Sequence, residues 1–175
     1  MENPVYPKAY EIIKTLGRKV APIELDAHGM SVTALEKTQA KVAYVTPSHQ
    51  FPTGEEMTLT QREALLRWAQ ETGGYILEDD YDSEFRFDAH PMPAMQSLDA
   101  ERVIYMNSFS KSLAPSIRIS YMVLPGHLMT EFRKKLGFYS CTVPSFEQYT
   151  LARFLSRGHF EKHINRMRKF YKNRR

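Results

Sequence analysis

Apolar positions along the chain alternate between two spacings, and the alternation predicts strands and helices in turn. Tyr10, Ile13 and Leu16 recur at helical spacing within residues 7–16, and Gly17 is placed to stop that helix. Val20 to Leu25 reads as a strand, Asp26 to Gly29 as a turn, and Ser31 as the cap of a short helix through Leu35 and Glu36. Lys41 to Val45 (KVAYV) is a second strand, ending at Thr46-Pro47. Pro47 and Pro52 mark the irregular loop TPSHQFPTG, residues 46–54.

Thr60-Gln61-Arg62-Glu63 has the form of a capping box, opening a helix through Leu65, Leu66, Trp68 and Ala69 that Gly73-Gly74 ends. A third strand starts at Tyr75 and runs into the acidic sequence Glu78-Asp79-Asp80-Tyr81-Asp82. Ser83 to Phe87 reads as extended, and Pro91 and Pro93 interrupt the chain beyond it. Two apolar runs then flank Ser108, Ser110 and Lys111. The residues between Ser108 and Ser116 are too few for a parallel crossover, so neighbouring strands here must be antiparallel. Helical spacing governs the rest: His127 to Leu136, then Pro144 or Ser145 to Gly158, then a stripe of Phe160, Ile164, Met167 and Tyr171. Strands alternating with helices predict an α/β fold with a mixed, mostly parallel sheet and flanking helices.

Composition narrows the class. At 175 residues and 42% hydrophobic, the chain can bury a sizeable core. One cysteine, Cys141, rules out an intramolecular disulfide and a CxxC metal site, and fits a reducing cytoplasm. No apolar run approaches a membrane span, and no signal pattern opens the chain. The net charge of +4 is concentrated in the last segment. The apolar stripe there argues for a packed helix with a charged outer face, not a nucleic-acid site.

Two stretches carry candidate chemistry. A lysine among hydroxyls at the end of an apolar strand is costly to bury unpaired, so Lys111 needs a partner. The acidic cluster follows another strand, where open α/β sheets gather ligands. A magnesium-holding carboxylate of a nucleotidase would need a phosphate loop that the chain lacks. A calcium loop would need glycine where Phe85 stands. The third reading sets a carboxylate against a cofactor's ring nitrogen. Pyridoxal phosphate needs a lysine for its aldehyde, an acid at its pyridine nitrogen and donors for its phosphate. Lys111, Asp79 and the pair Ser108 with Arg118 supply those types from adjacent strand ends.

Ser108-Phe109-Ser110-Lys111 followed by Arg118 resembles the lysine motif of the aspartate-aminotransferase superfamily, of fold type I. The stretches TPSHQFPTG and Glu78 to Phe85 are similar to the aminotransferase-like domain of MocR-branch, GntR-type bacterial transcription regulators. The resemblance implies pyridoxal 5'-phosphate as cofactor. Lys111 would be the Schiff-base lysine and Asp79 the partner of the ring nitrogen. Tyr81 would bond the ring's phenolic oxygen, and Ser108 and Arg118 would bind the phosphate. His49 acquires no role. Phe51 stands where working aminotransferases of this superfamily carry asparagine, and Tyr81 follows Asp79 by two positions instead of three.

Both departures match the regulator branch, which implies a domain sensing a small amino-acid or amine effector. A fragment of an active class I/II aminotransferase is the alternative. Residues 1–158 would be part of the large cofactor-binding domain, and residues 159–175 the start of the helix leading to a small domain outside this sequence. The resemblance further implies a homodimer that contacts DNA only through a separate N-terminal module.

Overall fold

The computed structural model describes residues 1–85 and 92–174. Strand β1 (Glu2–Asn3) lies parallel to β2 (Ile23–Asp26), and β2 turns back antiparallel into β3 (Gly29–Met30). Between β1 and β2 runs helix α1 (Pro7–Thr15), with proline in its first turn and Gly17 in the left-handed region just beyond it. Strand β2 is shorter than its apolar pattern suggests, beginning at Ile23. Ser31 caps α2 (Val32–Glu36), its hydroxyl accepting from the Ala34 amide.

The main sheet is formed by β4 (Val42–Val45), β5 (Tyr75–Asp79), β6 (Val103–Ser108) and β7 (Ser120–Val123), adjacent in that order. The first three are parallel, and β7 is antiparallel to β6 with Ser108 opposite Ser120. The short connection after Ser108 thus enforces the reversal expected of it.

Helix α3 (Leu59–Thr72) carries the crossover from β4 to β5. Its cap is Thr58, whose hydroxyl accepts from the Gln61 amide, not Thr60 as the capping-box pattern indicates. The Gln61 side chain, three residues after this cap, donates to the Met30 carbonyl of β3 instead of reaching back to the Thr58 amide. Gly73 ends the helix in the left-handed conformation, at φ 64°.

Leu65, Trp68 and Ala69 of α3 pack with Ala43, Val45, Ile76, Val103, Leu35 and Met30 in one core on one face of the sheet. Each fully buried large apolar side chain there contributes roughly 1.5–3 kcal/mol. Arg62 is wholly buried at the edge of this core. Its guanidinium donates to the carbonyls of Met57 (3.1 Å), Pro93 (3.2 Å) and Pro47 (2.9 Å), stapling α3 to the loop after β4.

Helix α4 (Met95–Leu98) precedes β6, and α5 (Phe109–Ser112) follows it as a single turn. Three longer helices complete the chain: α6 (Gly126–Leu136), α7 (Ser145–Ser156) and α8 (His159–Lys172). The apolar stripe of α8 is realised at its centre. Ile164 is buried and Phe160 and Met167 are half-buried, while Tyr171 is exposed. Ser83–Phe85 is a 3₁₀ turn, not the extended segment its composition suggests, and Arg86 to Pro91 lie outside the described residues.

Candidate functional site

The site is assembled at the carboxyl ends of β4, β5 and β6. Alternation along β5 sends consecutive carboxylates to opposite faces. Glu78 turns into the core side and accepts from the amides of Met95 (2.8 Å) and Gln96 (2.9 Å), so it caps α4. Asp79 turns the other way, into an open cavity. Asp80 is buried beyond the strand end and accepts from the Tyr105 hydroxyl at 2.8 Å. One acidic run thus divides into a helix cap, a strand-end contact and a single carboxylate presented to the cavity.

The loop after β4 forms the opposite wall. Glu2, 1% exposed, accepts from the amide (3.0 Å) and hydroxyl (2.8 Å) of Thr46. Gln50 donates to the carbonyls of Pro4 and Phe51, both at 2.7 Å, while its oxygen accepts from Thr53. These bonds tie the segment after β1 to the TPSHQFPTG loop and bring Tyr6 edge-on to Phe51, ring centres 5.5 Å apart.

The third wall is α5. Phe109 and Ser112 are its buried residues, and Phe109 packs against Tyr121 and Phe160. That anchoring leaves Lys111 on the free side, with 56% of its side chain exposed. The lysine is therefore not buried, as its place after an apolar strand suggests, because the helical turn rotates it outward.

The cavity enclosed by these walls measures about 290 Å³ and is lined by Tyr6, Tyr44, Thr46, Phe51, Asp79, Tyr81, Ser108 and Lys111. Four of the five residues that the sequence singles out, Asp79, Tyr81, Ser108 and Lys111, share it. Arg118 does not line it. That residue is exposed, stands just before β7 in the left-handed region at φ 48°, and has no hydrogen-bonding or ionic partner among the described residues. A non-glycine residue in this region is strained, a condition that clusters at functional sites.

Tyr44 is the residue that sequence reasoning missed. Its hydroxyl donates to Asp79 Oδ2 at 2.5 Å. A period-of-two reading of KVAYV carries the signal, since Tyr44 falls on the opposite face from the core residues Ala43 and Val45. Burial raises the Asp79 carboxyl above its ordinary range, and the Asp80 and Asp82 carboxylates add to that rise. The Tyr44 hydrogen bond opposes it. Burial, with the Asp79 carboxylate adjacent, pushes the Tyr44 phenol strongly upward, so it remains a donor. The Tyr81 phenol is pushed up to about 12, chiefly by burial and then by Asp82 and Asp79. Its hydroxyl donates to the His49 carbonyl at 3.0 Å, and its ring lies 4.5 Å from the Lys111 ammonium. Asp82, the last carboxylate of the acidic cluster and given no role by the sequence, accepts from Lys111 Nζ at 3.2 Å and from His49 Nδ1 at 2.8 Å.

Residues 1–175 match the family described as aminotransferase class I and II. The chain belongs to that family. Among curated relatives, the uncharacterized helix-turn-helix transcriptional regulator YdeL of Bacillus subtilis is 46% identical over 175 residues, covering 99% of this chain and 38% of the regulator. The probable rhizopine catabolism regulatory protein MocR of Rhizobium meliloti is 38% identical over 99% of this chain and 36% of its own. The chain therefore spans well under half the length of the regulators it matches.

Among solved structures, the kynurenine aminotransferase of Pyrococcus horikoshii superposes with a TM-score of 0.89 at 34% identity, over 99% of this chain and 45% of that one. LysN of Thermus thermophilus, an alpha-aminoadipate aminotransferase solved with N-(5'-phosphopyridoxyl)-L-leucine, superposes at 0.84 and 29% identity, over 98% and 46%. The fold is thus that of the fold-type-I, pyridoxal-phosphate-dependent aminotransferases. No helix among the described residues is long and apolar enough to cross a membrane.

Proposed function

We propose that this chain is the pyridoxal-phosphate-binding, effector-sensing aminotransferase-like domain of a MocR/GntR-type transcription regulator. The observation that carries the reading is the shared cavity. It brings an amine, a carboxylate and a hydroxyl, from Lys111, Asp79 and Ser108, to one space lined by four aromatic rings. Its volume of about 290 Å³ is at the lower end of ligand pockets, and its apolar walls suit a planar heteroaromatic ring. Bound pyridoxal phosphate supplies an aldehyde that accepts an amine and a protonated ring that accepts electrons. The residues present fit that group. Asp79, fixed by the Tyr44 hydroxyl, offers its second oxygen to the ring nitrogen. Lys111 would be the amine with Tyr81 beside it, Ser108 would donate to the phosphate from within the cavity, and Arg118, exposed outside its lining, would be the second phosphate donor.

Phe51 supports a sensing role over turnover. At the position where working aminotransferases carry asparagine, its ring packs on Tyr6 and offers no hydrogen bond. The helix-turn-helix regulators among the relatives support DNA contact through a separate N-terminal module; a small amino-acid or amine effector, homodimerisation and a cytoplasmic setting belong to the same proposal. Residues 1–158 then belong to the large cofactor-binding domain, and residues 159–175 lead toward a small domain.

The full-length protein tests this reading. On loading with pyridoxal phosphate it should show an absorption band at about 410–430 nm, and Lys111→Ala should abolish it. Persistence of the band in that variant refutes the assignment of Lys111. Transamination of common amino acids at ordinary enzyme rates, on the order of 1–10³ per second, would replace the regulator reading by that of an enzyme.

A further inference from the structure

Lys111 lines two cavities. One is the site already described. The other, of about 680 Å³, lies between α5 and α8, and its walls include Asp82, Ser110, His163 and Met167. The ammonium sits at the boundary, and the side chain that holds it there belongs to the second cavity. Asp82 has only 16% of its side chain exposed. One of its oxygens accepts from Lys111 Nζ at 3.2 Å and the other from His49 Nδ1 at 2.8 Å. The His49 carbonyl accepts the Tyr81 hydroxyl at 3.0 Å, and the Tyr81 ring faces the same ammonium at 4.5 Å. Lysine, aspartate, histidine and tyrosine therefore close a circuit of contacts around one amine. None of these contacts involves Asp79.

Resting on the reading of Lys111 as the reactive amine, we infer that Asp82, oriented by His49, is the positioning residue for Lys111. The physical reason is the chemistry an amine must perform. An amine attacks a carbonyl through its nitrogen, and a nitrogen held by a carboxylate at 3.2 Å must leave that contact to reach a ligand in the first cavity. Asp82 therefore holds the Lys111 nitrogen at the boundary of the two cavities and restrains its reactivity while no ligand is bound. His49 keeps the carboxylate aimed: its Nδ1–H fills one oxygen and leaves the other for Lys111. The arrangement also explains the loop histidine, which contributes no atom to the lining of the first cavity.

The inference is tested on ligand-free full-length protein by acetylation with acetic anhydride at pH 8. The rate at Lys111 is read by mass spectrometry against exposed Lys37 in the same molecule. Partly exposed pairs of this kind are modest, so Asp82→Asn should raise the Lys111 to Lys37 ratio about two- to fivefold. His49→Ala should raise it by a smaller factor, and His49→Asn, whose amide nitrogen stands at the Nδ1 position and restores an N–H donor, should return it to the natural value. An unchanged ratio in Asp82→Asn, with circular dichroism and melting temperature preserved, overturns the inference. If Asp82→Asn does not fold, His49→Ala decides: no rise there overturns it equally. The acetylation ratio needs no cofactor, whereas the proposed function is read from the absorption band of loaded protein, so either can fail alone.

Discussion

Replacing Glu2 by glutamine tests how the wall of the cavity is held. Glu2 is 1% exposed, and its carboxyl accepts from the amide and hydroxyl of Thr46, a cavity-lining residue. Burial raises the carboxyl from its ordinary 4.5 to about 7, the two bonds from Thr46 opposing the rise only in part. A folded-state value above the unfolded one means that the folded protein binds this proton more tightly. The resulting stabilisation is complete below pH 4.5 and is lost as the pH climbs through 7.

At about 1.36 kcal/mol per unit, the full swing is roughly 3 kcal/mol, of which about 2.5 kcal/mol falls between pH 5 and pH 8. Glutamine keeps an acceptor for Thr46 and carries no charge at any pH. Urea unfolding of the full-length protein at pH 5 and pH 8 should therefore show Glu2→Gln losing about 2.5 kcal/mol less than the natural protein over that interval. The variant should also be the more stable of the two at pH 8. Other carboxyls raised by desolvation, the buried Glu78 and the half-buried Glu84 among them, contribute their own slopes to both proteins and cancel in the difference. Equal losses in the two proteins would refute the reasoning, because an ionised Glu2 would then be as well accommodated as a neutral one.

Two more outcomes come from the geometry. Tyr44→Phe removes the hydroxyl that donates to Asp79. A hydrogen bond to a charged acceptor contributes about 1.5–3 kcal/mol, and its loss raises the Asp79 carboxyl further. Pyridoxal phosphate should then bind the full-length protein at least about tenfold more weakly in an absorbance titration, and an unchanged dissociation constant would refute the role given to Tyr44. Arg62→Met fills similar volume but removes the guanidinium donors from the carbonyls of Met57 and Pro93 and leaves that of Pro47 only the Met57 amide. It should cost about 3–5 kcal/mol in chemical denaturation, and a loss below about 1 kcal/mol would show that these carbonyls find other partners.

Much of the architecture is written locally. Gly17 and Gly73 stop their helices, Ser31 caps α2, and the short link after Ser108 forces β7 to run against β6. The spacing within KVAYV and YILED places alternate residues on opposite faces, so the separation of Asp79 from Glu78 is implicit in the sequence. The residue types of the cavity were equally legible. Asp79, Tyr81, Ser108 and Lys111 follow strand ends that a parallel sheet must align.

Tertiary structure decided which polar groups reach one another. The cap of α3 stands at Thr58, and the Gln61 side chain is taken by the Met30 carbonyl of β3. Lys111 emerged half-exposed because the burial of Phe109 and Ser112 rotates α5 about its axis. Tyr44 met Asp79 across two strands separated by thirty-five positions. His49 found Asp82 in the same way. Spacing along a chain fixes the face on which a side chain stands. The partner it meets there depends on strand order and helix rotation, and those are set by packing of the core as a whole.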